Sequence, residues 1–153
     1  MIFTLLGGDL RSVYLCRRLM KDGYTVQSYG LELSDLPQCC RSDSLTAALA
    51  NTDCVVLPSY HEGLSNVLLE AAAVGRPLIT SDIHGCKEVV DPGVSGFLCR
   101  VKDSEDLYHK MREMALLSAP ERESMGLAGR RKIAREFEKS MVVSKTIQAI
   151  FRK

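Results

Sequence analysis

The sequence predicts an α/β fold: a doubly wound parallel sheet of about six strands, order 3-2-1-4-5-6, with helices on both faces to make three layers. Three observations predict it. Short apolar runs of strand length alternate with segments of helical period, the pattern of β-α units joined by right-handed crossovers. Glycine or proline stands at several of the junctions between them. The chain has 153 residues of which 46% are hydrophobic, enough to build the core of a single domain over residues 1–153.

The first strand is Ile2–Leu6, followed by a helix over Leu10–Lys21 with Leu10, Val13, Cys16 and Met20 at helical spacing. Gly23 ends that helix in a left-handed turn, and Thr25–Tyr29 forms the second strand. A weaker strand, Gln38–Arg41, precedes a helix near Ser44–Ala50. The apolar run Cys54–Leu57 is a buried strand, and the helix Asn66–Val74 follows it. Gly75 closes this helix as Gly23 closes the first, and Pro77 turns the chain into the extended strand Leu78–Thr80. A short helix is expected at Cys86–Val90 and a last strand at Phe97–Cys99, with Gly93 and Gly96 as turn glycines leading into it. Three amphipathic helices complete the chain, marked by Leu107, Met111 and Met114, by Met125, Gly129, Ile133 and Phe137, and by Val143, Ile147 and Ile150; their apolar stripes are read as faces packed on the sheet.

Composition removes several function classes. Twenty basic residues against nineteen acidic ones leave a formal charge of +1, so no global field favours nucleic acid or an acidic membrane surface. The opening Met-Ile-Phe-Thr-Leu-Leu has no basic leader and meets Gly7 and Gly8 far short of a membrane span, so a soluble, cytoplasmic protein is expected. Cysteines 16, 39, 40, 54, 86 and 99 lack paired Cys-x-x-Cys spacing, and histidines 61, 84 and 109 add no ligand cluster. Buried, reduced thiols and no metal are the expectation.

In a doubly wound sheet, ligands bind beyond the carboxyl ends of the strands, here loops 7–10, 30–33, 58–66 and 81–86. The most informative is Pro58-Ser59-Tyr60-His61-Glu62-Gly63-Leu64-Ser65-Asn66, which joins a buried strand to a helix. The first turn of a helix has unpaired N–H groups and a positive dipole end, so a diphosphate can bind there without a basic side chain; Ser65 or Asn66 can cap the turn when the site is empty. Glu70, one turn beyond Asn66, can accept hydrogen bonds from vicinal hydroxyls such as those of ribose, and Glu62 can do so for a sugar. Spacing alone favours the plainer reading, in which both are surface carboxylates stabilising a helix N-terminus by roughly 0.3–1 kcal/mol. His84 and Lys87 can reach a phosphate or sugar, or belong to a solvated loop.

The segment from Pro58 to Ser81, continued by Gly85-Cys86-Lys87-Glu88-Val89-Val90 and Gly93-Val94-Ser95-Gly96-Phe97-Leu98, resembles the family-4 glycosyltransferases, including a Glu-x7-Glu motif formed by Glu62 and Glu70. The resemblance covers roughly residues 58–140. It implies the donor-binding, Rossmann-like half of a retaining GT-B enzyme, holding a UDP- or GDP-type sugar without metal or other cofactor. By that resemblance Glu70 binds the ribose, the amides of Leu64, Ser65 and Asn66 meet the distal phosphate beside Gly63, and Glu62 is the catalytic-site glutamate touching the transferred sugar. Such a family member carries a phosphate-binding Gly-Arg and a later Lys in its first loop, where this chain has Gly7-Gly8-Asp9-Leu10-Arg11, leaving Arg11 as a displaced phosphate contact.

Residues 1–57 instead resemble the N-terminal domain of a dipicolinate synthase, through Leu5-Leu6-Gly7-Gly8-Asp9-Leu10-Arg11, Gly23-Tyr24-Thr25-Val26 and Tyr29-Gly30. Two origins fit these resemblances, a designed or recombined chimera with a seam near Ser42–Pro58 and a natural, divergent glycosyltransferase fragment, and the chimera is the one expected. Gly7-Gly8-Asp9 does not fit G-x-G-x-x-G, although Glu32 stands where a ribose-binding acid can follow the second strand. Three functions follow: a nucleotide-sugar-binding domain without turnover of its own, with the acceptor half absent; a transferase subunit completed by another chain; or a structural chimera with no ligand.

Overall fold

A computed structural model describes residues 1–7, 10–30, 41–138, 143, 147 and 148. Five strands form one parallel sheet: β1 (Ile2–Leu6), β2 (Thr25–Tyr29), β3 (Cys54–Leu57), β4 (Leu78–Ser81) and β5 (Gly96–Cys99), in the order β2-β1-β3-β4-β5. The helices are α1 (Leu10–Lys21), α2 (Leu45–Ala50), α3 (Asn66–Ala73), α4 (Ser104–Leu116) and α5 (Ala119–Glu136). In register, Leu5 faces Val56, Val56 faces Ile79 and Ile79 faces Phe97.

Alternation along the strands sorts side chains into two cores. Phe3, Leu5, Val56, Ile79 and Phe97 point to one face and pack with Val13, Cys16 and Leu19 of α1 and Leu107, Met111 and Met114 of α4. Leu6, Val55, Leu57 and Leu78 point to the other face and meet Leu49 of α2, Leu68, Ala71 and Ala72 of α3, and Ile133 of α5. The three layers are therefore present, with the chain reversing its winding between β1 and β3, the position where such sheets open a crevice.

The edge of the sheet differs from expectation. Arg41 makes only an isolated parallel bridge to Ser28 on the outer side of β2, and Gln38–Cys40 lie outside the described residues, so the described sheet has five strands in place of six. Cys86–Val90 is a run of turns: Cys86 and Val89 donate to carbonyls three residues back, and Lys87 makes a lone four-residue bond to Ile83. Gly96 lies inside β5, where a Cβ would come within 2.1 Å of the Leu78 carbonyl oxygen; glycine lets β5 close on β4. On α1 the buried stripe runs through Val13, Cys16 and Leu19, and Met20 is 38% exposed. The last predicted helix falls mostly outside the described residues, and its Val143 and Ile147 are about half exposed, at 47% and 50%.

Candidate functional site

The β3–α3 loop, residues 58–65, leaves the central strand at the carboxyl edge of the sheet, beside the reversal point. Its base is fixed by Thr80, whose Oγ1 donates to the Leu57 carbonyl at 3.0 Å and ties the end of β3 to β4. Within the loop, Ser59 Oγ donates to Glu62 Oε1 at 2.9 Å and lies 3.2 Å from the His61 carbonyl oxygen. Glu62, Gly63 and Leu64 are exposed, whereas Ser65 is buried.

A second loop braces the first. Gly85, at φ +88°, lies so close beneath Gly63 that a Cβ would stand 1.9 Å from the Gly63 carbonyl oxygen and 2.7 Å from that of Glu62. Its own carbonyl accepts the Ser65 amide at 3.1 Å, so this N–H braces the loop and, contrary to expectation, is not open to a phosphate alongside those of Leu64 and Asn66. Gly85 is held in turn by Glu88, whose Oε2 accepts the Gly85 amide at 2.7 Å while Oε1 contacts His84 Nδ1, also at 2.7 Å. Partial desolvation acts to raise the Glu88 carboxyl, but the Glu88 and Gly85 amides and the His84 ring outweigh it and hold the group below its ordinary range. Beneath the loop the Cys86 thiol is pushed up by burial and by the carboxylates of Glu62 and Glu88, against a hydrogen bond with Thr80.

The first turn of α3 differs from those of its neighbours. Ser44, Asp103 and Ser118 each cap their helices through a side-chain oxygen, but Ser65, the N-cap of α3, makes no such bond. The turn keeps amide donors directed at the space beyond the sheet. Asn66 begins it, exposed. Glu70 is exposed one turn further on and borders a groove of about 380 Å³ between α2 and α3, with Leu45, Thr46, Leu49 and Arg76. A separate cavity of about 360 Å³ opens on the α1–α4 side, lined in part by Ser59 and Tyr60.

The structure thus brings Glu62, Gly63, Leu64, Ser65 and Asn66 together on one braced loop, with Glu70 on the helix it feeds. Arg11 belongs to α1, and its side chain is outside the described residues, as is Glu32. His84 is 91% exposed and turned to Glu88, and Lys87 is half exposed and 4.0 Å from Asp82, so both belong to a solvated loop. Sequence reasoning missed Thr80 and the bracing by Gly85 and Glu88. The available signal was an acid three residues after a loop glycine, a spacing that lets a carboxylate accept the glycine amide.

Across the chain, the family described as "Glycosyl transferases group 1" matches residues 20–116. The chain belongs to the group 1 glycosyl transferases. The match runs without a break through Ser42–Pro58, so residues on both sides of the expected seam belong to this one family; nothing supports a dipicolinate synthase segment or a chimera. An N,N'-diacetylbacillosaminyl-diphospho-undecaprenol α-1,3-N-acetylgalactosaminyltransferase from Campylobacter jejuni is 38% identical over 88 residues, 58% of this chain and 22% of that protein. This chain spans about a quarter of the length of the curated relatives it matches. Among solved structures, S. aureus TarM in a complex containing UDP superposes with a TM-score of 0.80 at 15% identity, over 96% of this chain and 34% of that one. The C-terminal domain of a group 1 family protein (LpcC) from Francisella tularensis does so at 0.69 and 14% identity, covering 90% of this chain and 86% of that one. At these identities the likeness carries the fold.

The described cysteines of this group 1 domain, Cys16, Cys54, Cys86 and Cys99, are buried and in no disulfide; Cys39 and Cys40 lie outside the described residues. Among the described residues no helix is long and apolar enough to cross a membrane.

Proposed function

We propose that this domain binds the nucleotide diphosphate of a sugar donor, with the braced β3–α3 loop as its phosphate and sugar contact. The observation that carries the reading is the first turn of α3, at the reversal point of the sheet and without a side-chain cap, flanked by two exposed glutamates eight positions apart. The assigned roles are Glu70 on the ribose hydroxyls, the Leu64 and Asn66 amides toward the distal phosphate beside Gly63 and Ser65, and Glu62 toward the transferred sugar. A helix N-terminus stabilises an anion through amide donors and its dipole, so no metal is needed for that step. Membership in the group 1 glycosyl transferases and the UDP complex of the structurally similar TarM support this choice of ligand.

Transfer of the sugar we assign to a complete cleft, of which this domain forms one wall. Orienting an acceptor and excluding water both require a surface facing the loop.

Calorimetric titration with UDP, GDP and their glucose or mannose conjugates tests the donor reading. One nucleotide diphosphate is expected to bind saturably, and Glu70→Ala to weaken it by roughly 1.5–3 kcal/mol, the scale of a hydrogen bond to a charged group. Affinity unchanged in Glu70→Ala removes the ribose assignment, and no binding by any nucleotide removes the donor reading.

A further inference from the structure

The cavity on the α1–α4 side of the β3–α3 loop has a chemistry of its own. Its wall includes Ser12 from α1, Ser59 and Tyr60 from the loop, Ser81 at the end of β4, and Arg100 and Lys102 from the β5–α4 connection. It lies across the sheet from the Glu70 groove, because α1 and α4 cover one face and α2 and α3 the other. Ser59 joins it to the candidate site, since its hydroxyl donates to Glu62.

Its two cations differ. Arg100 is engaged by Asp103 at 3.0 Å and Asp106 at 3.8 Å. Lys102 has no carboxylate partner among the described residues, and its Nζ stands 5.9 Å from the centre of the Tyr60 ring. Lys110 on α4 and Lys132 on α5 are paired, with Glu113 and Asp91, whereas Lys21 at the end of α1 shares with Lys102 the lack of a carboxylate partner among the described residues but does not line the cavity. Lys102 is also the one non-glycine among the described residues with positive φ, at 62°. A side chain in the left-handed region opposes folding, and glycine would hold this turn more easily. A left-handed backbone and an ammonium without a carboxylate partner among the described residues therefore coincide at the wall of a cavity that serine hydroxyls share with Asp103, which engages Arg100, and with the apolar Leu15 and Leu107; strained backbone clusters at binding sites.

We propose that this cavity is a phosphate subsite whose cation is Lys102, with the Ser12 and Ser81 hydroxyls and Tyr60 as its walls. An ammonium suits a phosphate as a compact point charge with three donors, and the serines can donate to the remaining oxygens. The phosphate is either the donor's own diphosphate reaching past Ser59 or that of a phosphorylated second substrate. The place of the subsite in a sugar transfer rests on the donor reading, whereas the cavity and its cation do not.

The test is an NMR titration of the full chain with inorganic pyrophosphate, with and without saturating UDP, in wild type, Lys102→Gly and Lys102→Met. Lys102→Gly is expected to weaken pyrophosphate roughly fivefold or more, while its melting temperature stays level or rises because glycine accepts the positive φ. A merely structural lysine does not produce that split. Lys102→Met reports the same loss of charge without the backbone change. Lys102-dependent binding that survives saturating UDP identifies a second substrate as the source, and competition by UDP identifies the donor. If UDP does not bind but Lys102-dependent pyrophosphate binding remains, the donor reading falls and the subsite stands. Absence of pyrophosphate binding, or equal affinity in all three proteins, overturns the subsite.

Discussion

Replacing Gly85 by alanine separates the loop's shape from the rest of the fold. The new Cβ would stand 1.9 Å from the Gly63 carbonyl oxygen, where ordinary contact begins at 3.4 Å, so the loop must retreat by about 1.5 Å. The left-handed backbone at φ +88° adds roughly 1–2 kcal/mol for a residue with a Cβ. Overpacking adds about 1–3 kcal/mol. Together these give roughly 2–5 kcal/mol, or about 4–20 °C in melting temperature for a chain of this size, toward the lower end because Glu62, Gly63 and Leu64 are exposed and can yield. Binding has no such relief. A shift of about 1.5 Å breaks a hydrogen bond to phosphate or sugar, so nucleotide affinity is expected to fall roughly tenfold or more. Gly75→Ala is the control, since Gly75 has φ +76° with nothing within 4 Å of the added Cβ. It should lose about 1–2 kcal/mol of stability and no affinity. Thermal melts and calorimetric titration of both variants read the two effects apart. If Gly85→Ala melts no lower than Gly75→Ala and binds UDP as tightly as wild type, the loop does not depend on its brace.

The Glu88 brace carries a pH signature. Its folded carboxyl is held below the ordinary value of 4.5, so its contribution is fully present above that value and is lost as pH falls through the lowered folded one. Wild type should therefore lose more melting temperature than Glu88→Gln between about pH 5.5 and 3; parallel losses would show that the carboxylate contributes nothing to the fold. The Cys99 thiol is pushed up to about 11 by burial, which a hydrogen bond with Ser81 offsets only in part, and Cys54 is raised further by burial. Brief iodoacetamide treatment at about pH 8, with labelled positions mapped by mass spectrometry, should leave Cys16, Cys54, Cys86 and Cys99 unmodified until the domain unfolds. Rapid native labelling of Cys99 would contradict the described packing.

Much of the scaffold was legible because local signals agreed with burial. Apolar runs at Ile2–Leu6 and Cys54–Leu57 became strands within the bounds expected of them, and the helix-ending glycines Gly23 and Gly75 have φ of 85° and 76°. Failures fall where a contact between distant residues decides. Nothing local marks Gly96 as a strand residue, since the reason for it is the Leu78 carbonyl on β4. Cys86–Val90 has the composition of a helix, yet the Gly85 carbonyl just before it is tied to the Ser65 amide of the β3–α3 loop, and the run stays in turns. On α1, Met20 and Leu19 compete for the core on adjacent positions, and Leu19 takes it, fully buried in the cluster that the strands share with α4. At the candidate site, Glu62 and Glu70 were readable from spacing and resemblance. Lys102 was not, because its interest lies in a positive φ and a missing partner, neither of which a sequence displays.

Helix α3 is gripped near both ends by close approaches of main chain to main chain. Gly85 presses on Gly63 ahead of its N-terminus, and beyond its C-terminus Gly126 of α5 comes so near that a Cβ would lie 2.0 Å from the Gly75 carbonyl oxygen. Where backbone meets backbone, no rotamer can take up slack, so the helix has little freedom to slide along its axis. Repacking the core around Leu68 or Ala71 would therefore leave the height of the α3 N-terminus above the sheet almost unchanged. Retargeting this domain is therefore expected to act through the exposed positions His61, Glu62, Leu64 and Asn66, which can change identity while the platform beneath them stays fixed.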